Sequence, residues 1–138
     1  MVFQRVDRVI WNRANEEDFK KTLEFFSELL DVKFDVIRDP EAQVMVALSR
    51  GGFGLELGMP FKHEDRQSMM VIKVKNMDEA IRKFKEHGIE VRDLRSVGEA
   101  KEASFDPKDT CGIPILLNEC PEPHMMYTEV TKYFQNKK

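Results

Sequence analysis

Apolar and polar residues alternate along this chain in a pattern that predicts the same element order twice. The first round begins with a β-rich stretch at 5–11, continues as a helix from Glu16, and closes with strands at 32–38, 43–49 and 53–57. The apolar positions of the helix recur every three or four residues, which indicates one buried face. They are Phe19, Leu23, Phe26 and Leu30. The first round is therefore β-α-β-β-β.

The second round repeats that order. A strand is predicted at 68–74, and a helix follows Asn76 and ends at Gly88, a residue suited to a left-handed cap. Its apolar face is Met77, Ala80, Ile81 and Phe84. Three closing strands are predicted at 89–94, 101–105 and 112–118. The helix-starting residues Asn15 and Asn76 lie 61 positions apart, so we predict one domain made of two βαβββ repeats.

The predicted boundaries place the first repeat at 1–58 and the second at 68–120, with a polar linker between them. The tail 121–138 contains a short amphipathic run and is predicted to be helical. All 138 residues then form a single domain, which is long enough for one substantial core.

Composition narrows the classes of function. With 41% hydrophobic and 34% charged residues, we expect a soluble globular protein. A net charge of −3 argues against general nucleic-acid binding, which favours a basic excess. No apolar run is long enough to span a membrane, and the first residues do not resemble a secretory signal. We therefore expect a cytoplasmic protein in which Cys111 and Cys120 are reduced thiols.

Three stretches carry a resemblance to the vicinal oxygen chelate superfamily, the glyoxalase/bleomycin resistance/dioxygenase group. "VDRVIW" before a helix and "LLDVKF" resembles its opening elements, with Asp31 where glycine is usual. "KVKNMDEAIRKFKEHGIEV" is close to its second helix. "DPKDTCGIPILL" resembles a segment of methylmalonyl-CoA epimerases, with Asp106 in place of their histidine. The resemblance implies an α+β fold in which two tandem βαβββ units form facing, curved four-stranded mixed sheets around a ligand cleft.

The resemblance also implies where a metal would be held, by four side chains from the first and last strand of each unit. Those positions are Arg8, Glu56, Met69 and Leu116. Only Glu56 keeps a usual ligand type, because a guanidinium has no lone pair, a thioether is a weak ligand and leucine has no donor. We therefore expect no metal cofactor.

Alternatives to this metal-free interpretation remain open. A one-residue shift in register would bring Asp7 or Ser68 into the ligand positions. A single divalent metal ion held by His63 and Glu56 is the other alternative. Lone histidines such as His87 and His124 are more typical of the surface.

Residues two apart on a strand share a face, so the same strands supply a set of ligand-binding candidates. They are Arg8, Asn12, Glu56, Met69, Lys73, Leu116 and Asn118. Within this set we predict an ion pair between Arg8 and Glu56, since a guanidinium binds a carboxylate well.

Three functions are consistent with such a cleft. The first is a metal-free protein that binds a small, anionic or carbonyl-bearing molecule and forms a homodimer. The second is an epimerase, lyase or dioxygenase in which Glu56 is the catalytic residue, as a base or as a metal ligand. The third is a structural module with a collapsed cleft. Fold alone does not choose among them.

Overall fold

The computed structural model describes residues 2–39, 44–60, 68–97 and 99–120. The chain divides into two compact units, and each is treated by itself. The N-terminal unit contains the described residues between Arg8 and Ser68, and the C-terminal unit contains residues 2–7 and 69–120. Strand β1, Phe3–Asn12, is divided between them after Asp7.

The N-terminal unit has a helix and a four-stranded mixed sheet. Its sheet order is β2-β3-β4-β1, with β1 parallel to β4 and the other pairs antiparallel. After β1 the elements are helix α1 (Glu16–Glu24), a π-helical turn (Phe25–Leu29), β2 (Phe34–Asp39), β3 (Val44–Ser49) and β4 (Leu55–Pro60).

The C-terminal unit repeats that topology. Its sheet order is β6-β7-β8-β5, again with one parallel pair, β5 with β8. Its elements are β5 (Met69–Val74), helix α2 (Met77–Glu86), β6 (Asp93–Val97), β7 (Ala100–Ser104), a 3₁₀ turn (Pro107–Asp109) and β8 (Ile115–Glu119). The predicted α+β class and the duplicated βαβββ order are confirmed.

Both helices begin as the sequence predicts. Asn15 caps α1 by accepting a hydrogen bond from the backbone N–H of Asp18 at 2.8 Å. Asn76 caps α2 in the same way through the N–H of Glu79 at 2.9 Å. Gly88 follows α2 with φ +77°, which is the left-handed conformation expected of it. None of the helices in the described ranges is long and apolar enough to cross a membrane.

Each helix covers one face of its own sheet, and the hydrophobic cores lie there. In the N-terminal unit Phe19 of α1 packs with alternate residues of β3 and β4. They are Met45, Ala47, Leu57 and Met59. In the C-terminal unit Met77 and Ala80 of α2 form the core with Val74, Ala103, Phe105 and Leu117. Because strand residues alternate between faces, the residues between these point away from the helices.

Two predicted details were wrong. Leu30 does not lie on the buried face of α1, since it is 48% exposed. The π-helical turn Phe25–Leu29 inserts extra residues into the helical period, which displaces Leu30 from the face that carries Phe19. The strand predicted at 89–94 begins only at Asp93, because the residues after Gly88 form the connection from the helix.

Some predictions fall outside the described residues. The helix expected within 121–138 lies there, and so do His63 and His124. His87 ends α2 and is exposed, as a surface histidine would be.

Asp31 follows the π-helical turn with φ +56°, a conformation that glycine adopts without steric cost. This geometry explains why glycine is usual at this position in the family that the sequence resembles. We expect Asp31→Gly to raise the free energy of unfolding by roughly 0.5–1 kcal/mol in urea titrations. Asp31 also contacts Lys33 in an exposed ion pair, so Lys33→Ala is the control for losing that pair. A destabilised Asp31→Gly protein would contradict the assigned backbone strain.

Candidate functional site

The direction of the Glu56 side chain follows from the alternation of residues along strand β4. Leu55 and Leu57 belong to the core beneath α1, so Glu56 lies on the opposite face of the sheet. The parallel register pairs Ile10 with Glu56, and Arg8 therefore shares that face. The residue of β1 on the Glu56 face is Arg8 rather than Asp7, which does not support the alternative one-residue shift.

Arg8 and Glu56 form the predicted ion pair. The Nε–H of Arg8 donates to Oε1 of Glu56 at 2.9 Å, and the two side chains are only 9% and 12% exposed. A charge removed from water this far costs several kcal/mol unless a partner of opposite charge compensates it. Each side chain therefore compensates the charge of the other, and this allows both to be buried.

Asn12 occupies the space next to Gly58 on the same face. The two are register partners, and a Cβ on Gly58 would lie 2.3 Å from Oδ1 of Asn12. The glycine therefore makes room for the amide of Asn12 rather than for an external group. The backbone N–H of Asn12 donates to Oγ of Ser68 at 3.1 Å, and both residues belong to the N-terminal unit.

A second Arg–carboxylate pair lies at the edge strand of the same sheet. Nε of Arg50 donates to Oδ2 of Asp35 at 2.9 Å, and its Nη2 donates to Oδ1. This hydrogen bonding lowers the pKa of Asp35 below its usual value and raises the pKa of Arg50. Asp35 pairs in register with Leu48 and Leu48 with Glu56, so both ion pairs lie on one face.

The C-terminal unit places its predicted residues on the face opposite α2. Val74 and Leu117 belong to the core under the helix, so their strand neighbours Lys73, Leu116 and Asn118 point the other way. Met69 shares the Lys73 face through its even spacing on β5. Lys73 is 3% exposed and Asn118 is fully buried.

Sequence reasoning missed two charged residues of this face. Glu102 is the register partner of Asn118 and is 3% exposed. Arg95 is the register partner of Glu102, and its Nε donates to Oε1 of Glu102 at 3.1 Å. Glu102 alternates with the core residue Ala103, which is the signal that could have identified it in the sequence.

The side chains at the four positions where the resemblance places metal ligands do not suit a divalent metal ion. In the N-terminal unit Glu56 is bound by a guanidinium, and in the C-terminal unit Met69 and Leu116 supply no hard donor. Across the ranges that the structure describes, no group of three or more His, Cys, Asp and Glu side chains could hold a metal ion. Cys111 is exposed and Cys120 is buried, and the two do not form a disulfide.

Comparison with solved structures identifies the fold. A hypothetical protein from Bacillus halodurans C-125 superposes with a TM-score of 0.71 at 21% identity, over 87% of this chain and 96% of that one. Methylmalonyl-CoA epimerase from Mycobacterium tuberculosis gives 0.68 at 16% identity, over 88% of this chain and 91% of that one. A methylmalonyl-CoA epimerase in complex with methylmalonyl-CoA and ammonium superposes with a TM-score of 0.67 at 15% identity, over 87% of this chain and 96% of that one.

No family model matches the sequence, and no curated protein does. The likeness to the solved structures confirms the fold that the resemblance implied, which is that of the methylmalonyl-CoA epimerases. At these identities it carries no residue assignments, so the ligand-binding and catalytic residues remain predictions.

The Arg8–Glu56 pair should be measurable as an energetic coupling. Arg8→Met and Glu56→Gln should each destabilise the protein by more than a surface substitution, because each leaves a buried charge uncompensated. The double variant should be more stable than the sum of the single effects predicts, with a coupling of about 1–3 kcal/mol in urea unfolding.

The exposed pair Arg82–Glu86 is the matched control for this cycle. Arg82→Met and Glu86→Gln remove the same groups from a solvated helix, so their coupling should be only about 0.3–0.5 kcal/mol. Equal couplings for the two pairs would show that Arg8 and Glu56 do not compensate one another in a dry environment.

Proposed function

We propose that this protein binds a small molecule and does not require a metal ion at the four positions where the resemblance places metal ligands. The observation that carries the proposal is the buried Arg8–Glu56 ion pair, which occupies two of those positions with mutually compensating charges. Polar groups beside apolar ones on one sheet face are typical of a small-molecule site. Asn12 lies on that face together with the buried apolar residues Val46 and Leu48.

The ligand class follows from the charges. Lys73 and Asn118 in the C-terminal unit are hydrogen-bond donors, and so is Arg8 in the N-terminal unit. Each group by itself would favour a ligand with an anionic group or a carbonyl oxygen. One of the similar structures is a methylmalonyl-CoA epimerase in complex with methylmalonyl-CoA. We therefore propose an acyl-CoA thioester as the ligand.

Binding is tested by isothermal titration of the protein with methylmalonyl-CoA, before and after dialysis against a chelator. We expect the same affinity in both, and a rise in melting temperature with ligand concentration, because a ligand specific to the native state stabilises it. Metal analysis of both samples is the control. Loss of binding with the chelator, restored by one equivalent of a divalent ion, would overturn the metal-free proposal.

The alternative is an enzyme in which Glu56 removes a proton α to the thioester carbonyl. It is favoured by the likeness to epimerases and by the place of a carboxylate on this sheet face. The same samples decide between the two functions if they are followed by proton NMR in D₂O. Binding alone predicts that the α-proton signal decays at the rate seen without protein. A faster decay that Glu56→Gln abolishes would establish the enzyme instead.

We also propose that the protein is a homodimer. The edge strands β2 and β6 expose Val36 and Leu94, and an uncovered strand edge favours pairing with another chain. Light scattering at micromolar concentration should give twice the mass of the chain. A monomer mass over that range would reject the dimer without affecting the binding proposal.

A further inference from the structure

The π-helical turn after α1 brings apolar side chains to the surface of the N-terminal unit. Hydrogen bonds between residues five apart close such a turn, so Leu29 and Leu30 follow Phe25 on one side of the helix. Two further phenylalanines lie next to these three residues. We call the whole group the apolar patch, and its members are Phe25, Phe26, Leu29, Leu30 and Phe53.

The apolar patch is contiguous and open to solvent. The rings of Phe25 and Phe26 meet edge to face with their centres 5.3 Å apart, and those of Phe26 and Phe53 are 6.1 Å apart. Apart from Phe26, the members are 48–70% exposed. Single exposed apolar residues are normal, but a contiguous group marks a surface that associates with another molecule.

The second repeat shows that the fold does not require such a patch. Helix α2 corresponds to α1 and ends at Glu86 without a π-helical turn. The structure describes every residue of α2, and all of its exposed residues are charged. The π-helical turn therefore distinguishes the two repeats, and turns of this kind frequently occur at functional sites.

Charges of opposite sign lie before and after Phe25. Lys21 precedes it by four residues and Glu28 follows it by three, so each is about one helical turn away. The ammonium of Lys21 lies 3.2 Å from the Glu17 carboxylate in an exposed ion pair, which is a weak interaction. Within the ranges that the structure describes, Glu28 is exposed and has no ion-pair partner.

We propose that a second copy of this chain covers the apolar patch, through antiparallel pairing of the two α1 helices about a two-fold axis at Phe25. Such an axis places Lys21 of each copy opposite Leu29 of the other, because both are four residues from Phe25. The methylene stem of Lys21 then covers Leu29, and its ammonium binds the neighbouring Glu28 carboxylate. Glu24 is roughly 100° around the helix from Phe25, so it stays in water at the flank.

This inference rests on the proposed homodimer and assigns its contact to the apolar patch rather than to a strand edge. In the described part of β2, Val36 is the one large apolar side chain that is exposed, whereas the patch exposes four. Aromatic side chains at the centre of an interface contribute most to association. The patch is therefore the larger and more aromatic of the two surfaces.

Sedimentation velocity over a micromolar concentration series tests the centre of the contact. Phe25→Glu places a charge on the two-fold axis in both copies at once, so the Kd of the dimer should rise at least about thirtyfold. Val36→Glu is the matched control, because Phe25 and Val36 are both 50% exposed and receive the same charge. It should leave the Kd unchanged.

An exchange of charges tests the antiparallel arrangement. Lys21→Glu and Glu28→Lys each replace two unlike contacts by two like ones, so each should raise the Kd at least about tenfold at low ionic strength. An equimolar mixture of the two variants should recover the dimer, because the unlike contacts form again between copies. Lys21 and Glu28 are seven residues apart in one copy, so recovery on mixing requires contact between copies.

The outcomes separate this inference from the homodimer itself. A monomeric unaltered protein would overturn both. A dimer that Phe25→Glu leaves intact, or that Val36→Glu dissociates, would overturn the contact at the patch and leave the homodimer standing. Failure of the mixture to recover the dimer would do the same. Should Phe25→Glu not fold, as judged by circular dichroism, the exchange between Lys21 and Glu28 decides alone, since both side chains are exposed.

Discussion

A carboxylate buried on a sheet face has to be protonated, bound to a cation or paired with a basic side chain, and Glu56 is paired with Arg8. The burial of both charges depends on that contact. Since β1 and β4 are parallel neighbours, the pair also joins the first and last strands of the N-terminal unit. A guanidinium at this position supplies the positive charge that a metal would otherwise bring, but it has no open coordination site to offer a substrate.

The duplicated topology allows the two sheets to be compared position by position. Glu56 and Leu116 occupy corresponding places in β4 and β8, as do Gly58 and Asn118. In the N-terminal sheet the buried charged residues are therefore level with Glu56. In the C-terminal sheet they are level with Asn118, two residues further along the strand. Identical backbone pairing supports both arrangements, so the topology by itself requires neither set of polar side chains.

Much of the fold could be predicted because it depends on local signals. The asparagine caps, the left-handed Gly88 and the spacing of the repeats are all visible in the sequence. The π-helical turn that exposes Leu30 was not, since its pattern of apolar residues is the same as that of an ordinary helix.

The candidate site was less accessible from the sequence, because it depends on register between distant strands. Arg8 and Glu56 could be paired in advance through the resemblance, which aligned both with ligand positions. Glu102 could not, since its place beside Asn118 follows only from the pairing of β7 with β8. The filling of the space at Gly58 by Asn12 is likewise a property of side-chain packing and not of residue order.

The most direct test of the central claim is an experimentally phased electron-density map of the native protein, with anomalous data collected for transition metals. The account predicts continuous density between the Arg8 guanidinium and the Glu56 carboxylate, with no anomalous peak beside them. An anomalous peak within roughly 2.0–2.2 Å of the Glu56 carboxylate, with Arg8 turned away, would contradict it.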